Sequence, residues 1–85
     1  MNYWPNAIAI DELGTFTELF SYGSLNSIED CEQTFRNWQD NYHNILISSW
    51  ITDDNNSIIQ HKSYVNHYGL VDLDGNKIPI KKIQL

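Results

Sequence analysis

The residues with the most chemical potential are one thiol, Cys31, and three imidazoles, His43, His61 and His67. A nucleophilic cysteine needs a neighbouring base and a lowered pKa. Cys31 instead shares an apolar stripe with Ile28, Phe35, Trp38 and Tyr42, and a cysteine on such a stripe belongs in a core. A metal site would draw on His61 and His67 with Asp72 or Asp74, at a spacing that matches no zinc or calcium signature. The run Asp72-Leu73-Asp74-Gly75-Asn76 has the flavour of a calcium loop. It lacks the closing glutamate, and an Asp-Gly hairpin turn accounts for the same residues. Carboxylates occur in pairs at Asp11-Glu12, Glu29-Asp30 and Asp53-Asp54. Acid–base catalysis sets two carboxyls in different environments around one pocket; these pairs fall in turns or at a helix start. Neither a Gly-x-Ser-x-Gly elbow nor a phosphate-cradling glycine loop is present. The expectation is a non-enzyme without cofactor or bound metal.

Charge carries more information. The 85 residues have a net charge of −6, unevenly spread. Residues 1–60 hold nine acids (Asp11, Glu12, Glu18, Glu29, Asp30, Glu32, Asp40, Asp53, Asp54) against Arg36 alone. Residues 61–85 hold Asp72 and Asp74 against Lys62, Lys77, Lys81 and Lys82. Such a surface repels phosphate backbones over most of its area, so direct nucleic-acid binding is disfavoured and a basic protein partner is favoured. In size and charge the chain resembles the small acidic inhibitor proteins of phages and mobile elements, of the anti-CRISPR and anti-restriction DNA-mimic type. The residues carrying this resemblance are the nine acids just named; no motif is matched. It implies a plug that blocks a basic nucleic-acid-binding host enzyme. The positions expected to touch that partner are Asp11, Glu12, Glu29, Asp30, Glu32, Arg36, Asp40, Asp53 and Asp54. The alternative is a structural or assembly subunit, as a homodimer, with the lysine-rich C-terminal strand meeting the acidic half of a second copy. Ten asparagines and eleven isoleucines suit an A+T-rich genome such as that of a low-GC bacterium or its mobile elements.

Size and patterning define the frame that positions these groups. A chain of 85 residues makes one small domain with one modest core. No apolar run is long enough to span a membrane. The start, Met-Asn-Tyr-Trp-Pro-Asn, lacks the marks of a secretory leader, so the expected location is cytoplasmic. One cysteine makes no internal disulfide.

Residues 7–20 read as a β-hairpin turning at Asp11 to Gly14. The spacing predicts a helix over 28–41, with Ser27 as N-cap, Asp30 three residues on, and a Glu32–Arg36 ion pair one turn apart. Apolar residues of both parities over 45–52 predict a central strand covered on both faces. Asp53 to Ser57 is a turn, 58–65 a strand of undecided face, and 66–69 a bend. The hairpin over 70–73 and 77–80 closes on Asp74-Gly75, with Pro79 and the following Lys81 and Lys82 marking an edge. Phe35, Trp38, Trp50, Phe16 and Phe20 are the core candidates. Tyr64 and Tyr68 flank the bend as possible interface anchors. The order is β-β-α-β-β-β-β, a two-layer α+β domain with one helix packed on an antiparallel sheet. Its strand-strand-helix-strand start resembles ubiquitin-like β-grasp folds.

Overall fold

In the computed structural model of the chain, residues 1–79 are described. The elements are β1 (Trp4–Ile10), β2 (Phe16–Phe20), α1 (Ile28–Asp40), β3 (Ile45–Thr52), β4 (Ile58–Ser63), β5 (Val65–Asn66) and β6 (Gly69–Leu70). The first four strands form one antiparallel sheet in the order β2-β1-β3-β4, while β5 and β6 make a separate small ladder. The expected α+β class, two-layer build and element order are all present.

Helix α1 begins where its sequence says it should. Ser27 is extended, and its Oγ accepts a hydrogen bond from the Asp30 N–H at 3.1 Å. Glu29 and Asp30 occupy the first turn, where their charge complements the positive end of the helix. Cys31 and Phe35 are buried against the sheet, and Ile28 and Trp38 pack beside them. The stripe stops short of Tyr42, which is 64% exposed. The cause is local: Asn41 caps the helix, His43 turns the backbone at φ 56°, and the Asn44 N–H and Nδ2 both donate to the Trp38 carbonyl. That bonding satisfies a carbonyl left open by the end of the helix.

Register decides which face of the sheet lies under the helix. Ala7 pairs with Leu19 and Ser49, and Ala9 with Thr17 and Leu46. Directly paired residues share a face, so Ala7, Ala9, Leu19, Leu46, Ser49 and Ile51 look toward α1. Two alanines at the centre let the helix approach closely. The core comprises Ala7, Ala9, Cys31, Phe35, Leu46, Ile51 and Tyr64.

The same register corrects three core assignments. Phe16 pairs with Ile10, Phe20 with Asn6, and Trp50 with Asn6 and His61, all on the opposite face. Phe16 is 63% exposed, Phe20 51%, and Trp50 partly exposed. Strand β3 is central, as expected, but α1 covers only one of its faces. Tyr64 moves the other way. It is a core residue, 2% exposed, whose N–H donates to the Ile47 carbonyl and whose hydroxyl lies 2.8 Å from Ser49 Oγ.

Three loops share one construction. In Asp11–Thr15, Asp53–Ser57 and Asp72–Asn76, the aspartate Oδ1 accepts the N–H of the residues two and four positions later. The fourth residue has positive φ (Gly14, Asn56, Gly75) and donates to the aspartate carbonyl. The first two loops close the β1–β2 and β3–β4 hairpins. The third replaces the expected 70–73/77–80 hairpin. Among the described residues its arms meet in a single bridge, Val71 to Lys77, and the longer ladder forms instead between β5 and β6. Lys81 and Lys82 lie outside the described residues.

The buried Tyr64–Ser49 contact is directly testable. Tyr64→Phe strands the Ser49 hydroxyl and is expected to lower stability by about 1–2 kcal/mol. Adding Ser49→Ala should recover part of that loss in a urea double-mutant cycle. Unchanged stability in Tyr64→Phe would contradict the contact.

Candidate docking surface

Cys31 is fully buried, and its pKa is pushed up to about 11 by desolvation, then by the charges of Asp30 and Glu32. A thiol held protonated is a poor nucleophile. His43, His61 and His67 are exposed on separate elements. Among the described residues no three His, Cys, Asp or Glu side chains converge on a metal-sized site. No helix there is long and apolar enough to cross a membrane.

The acids expected to contact a partner divide into two groups. Asp11 and Glu12 follow Ile10, which pairs with Ile45; Asp53 and Asp54 follow Thr52, which pairs with Trp4. They therefore stand at opposite ends of the central strands, roughly 20 Å apart at ~3.3 Å per residue. Glu29, Asp30, Glu32 and Asp40 are exposed on the helix layer, behind the open face of the sheet. One flat partner cannot cover both groups.

Arg36 departs from its expected role. No Arg36–Glu32 ion pair forms; the guanidinium makes two 2.9 Å bonds to the Asp74 carboxylate. A planar fork matches a carboxylate better than a pairing one turn away on its own helix. The pairing raises the Arg36 pKa and lowers that of Asp74, chiefly through the shared hydrogen bonds. Beside it, the Leu73 N–H donates to Gln39 Oε1 at 2.8 Å. Together these contacts moor the 72–76 loop to α1. A polar pocket of about 150 Å³ remains between helix and sheet, lined by Glu32, Arg36, Ser49, Lys62 and Tyr64 among others. Lys62 Nζ stands 5.6 Å from the Tyr64 ring centroid there.

The surface that stands out is the uncovered face of the four-stranded sheet. Its cross-strand rows follow from the pairing: Phe16–Ile10–Ile45, Glu18–Ile8–Ser48–Ser63, Phe20–Asn6–Trp50–His61 and Trp4–Thr52–Ile58. Large apolar residues lie exposed across it at Ile8, Phe16, Phe20, Ile58 and Ile59. Tyr22 extends it, its ring edge-on to Phe20 at 5.1 Å. The two titratable groups in these rows, Glu18 and His61, sit on the outer strands β2 and β4. The exposed Phe16, Phe20 and Ile58 lie on those same outer strands, while the central strands β1 and β3 carry no charged residue in these rows; depletion of charge at the centre is a mark of an interface core. Four strands ~4.8 Å apart by four rows ~6.8 Å apart give on the order of 500 Å² for the whole face, polar and apolar positions together.

No protein-family model, curated protein or solved structure matches this chain. The acidic loops stand out in the sequence, and the open face between them does not. The available signal was parity: Glu18 lies in register with Phe16 and Phe20, and a strand parity that includes a glutamate is the solvent side.

The raised thiol pKa carries a pH consequence. The unfolded chain ionises Cys31 near its ordinary value of 9.0, while the folded chain holds the proton to about 11. Between those values the native state binds more protons, so stability falls as pH rises through that window. The expected loss is on the order of 1–2 kcal/mol, and it should flatten in Cys31→Ala measured by urea melts at pH 8.5 and 10.5. An identical pH slope in the variant would contradict the buried thiol.

Proposed function

We propose that this chain is a small non-enzymatic protein–protein interaction module. It docks through the open sheet face, with the acidic loops at Asp11-Glu12 and Asp53-Asp54 as its rim. The observation that carries the reading is the exposed aromatic and aliphatic face itself, framed at both ends by carboxylates. A standard interface takes ~800 Å² per partner, about one and a half times the open face, so a partner must extend onto the rim. There it meets negative charge. The matching partner has an apolar centre and a basic surround. The excess of acids over residues 1–60 disfavours nucleic acid in that position.

A basic, apolar-centred surface is what a nucleic-acid-binding enzyme offers, and occupying it would block the substrate. This supports the inhibitor reading that the chain's size and charge suggest, with a cytoplasmic host enzyme as target. It moves the contact from the helix acids to the sheet.

The test is a capture experiment from low-GC bacterial lysate with three baits. Wild type and the helix variant Glu29→Lys/Glu32→Lys/Asp40→Lys should retain the same basic protein, and Ile8→Asp/Phe20→Asp should lose it. Retention should weaken with salt. Loss with the helix variant alone would overturn the placement. Light scattering that shows a dimer abolished by Ile8→Asp/Phe20→Asp would favour the assembly-subunit reading instead.

A further inference from the structure

A groove at the rim of the open face has a specific chemistry. At the Trp4 end, a groove of about 340 Å³ has Trp4, Asn6, Phe20, Thr52, Asp53 and Asp54 among its lining residues. It combines two aromatic rings with two carboxylates. Asp53 Oδ1 is committed to its loop, and Asp54 Oδ2 accepts the Asn2 N–H at 3.2 Å. The second oxygen of each carboxylate takes no hydrogen bond from another described residue. Asn6 donates its Nδ2 to the Trp4 carbonyl at 3.1 Å, which leaves its Oδ1 as a further acceptor. The one ion pair among the described residues, Arg36–Asp74, lies elsewhere. Among the described residues, the groove thus offers acceptors and aromatic rings with no lysine or arginine side chain paired to them.

We propose that this groove receives an arginine side chain of the docked partner. Guanidinium is planar, stacks on aromatic faces, presents five donors in a fixed fork and sheds water more readily than ammonium. Each property has its counterpart in the groove: rings for stacking and oxygens for the fork. The inference rests on the docking reading above and adds the residue type that anchors one end of the interface.

The test is an NMR titration of the free protein with N-acetyl-arginine amide, and with N-acetyl-lysine amide as comparison. The expected result is a saturable shift of the Trp4 indole N–H and of the amides of residues 52–56, with affinity about tenfold weaker for the lysine compound. Asp54→Asn removes a carboxylate without touching the loop bonds made by Asp53, so it should fold normally and weaken the arginine response several-fold. Glu29→Gln/Glu32→Gln should leave it unchanged. Shifts that spread over α1, fail to saturate, or persist undiminished in Asp54→Asn would overturn the groove. If Asp54→Asn also retains the captured partner while Ile8→Asp/Phe20→Asp loses it, the groove fails and the docking reading stands. Retention by both variants removes both.

Discussion

A single helix can cover one face of a sheet and no more. That constraint organises this protein. Helix α1 needs a surface for Cys31 and Phe35, and the alanines of β1 provide one flat enough for close contact. The burial concentrates apolar packing in one layer, with Tyr64, Val71 and Leu73 of the C-terminal segment closing its side. Among the described residues no element is laid across the other face, where Ile10 alone is buried, at 3% exposed. The described residues contain no second helix. That face nevertheless exposes aromatic side chains, and a domain that leaves such a face open invites association.

Electrostatics follow the same geometry. The hairpin loops must sit at the ends of the strands, and each uses an aspartate Oδ1 to gather two backbone N–H groups. Asp11 and Asp53 therefore have a structural duty first. Their placement at the two ends of the open face is a by-product of closing hairpins, yet it rims an apolar surface with negative charge. The helix acids have no such relation to the sheet. Glu29 and Asp30 suit the start of α1 through the dipole, and Arg36 is drawn to the C-terminal loop.

Much of the frame was legible in the sequence because it depends on local rules. The N-cap at Ser27, the helical stripe and the punctuation at Asp11–Gly14 and Asp53–Ser57 all act over a few residues. What was not legible depends on long-range pairing. Phe16 and Phe20 look like core residues until β1 sets the register of β2 and Leu19 takes the inner side. Trp50 lies in a strand with apolar residues on both parities, so its face is fixed only by Asn6 and His61 across the sheet. Tyr64 sits beyond the end of β4, and its burial depends on reaching Ser49 fifteen residues earlier. The recurrent Asp-x-x-Gly/Asn loop was readable at Asp11, Asp53 and Asp72, where it marks these aspartates as loop-closing acceptors before any partner is considered.

The most direct measurement of the account is solvent paramagnetic relaxation on the free protein, read at side-chain protons with a neutral gadolinium chelate. Strong relaxation at Ile8, Phe16, Phe20 and Ile58, with Ala7, Ala9 and Ile51 protected, is what a sheet covered on one face requires. Equal protection of both sets in the dilute monomer, or relaxation at the alanines, would contradict it.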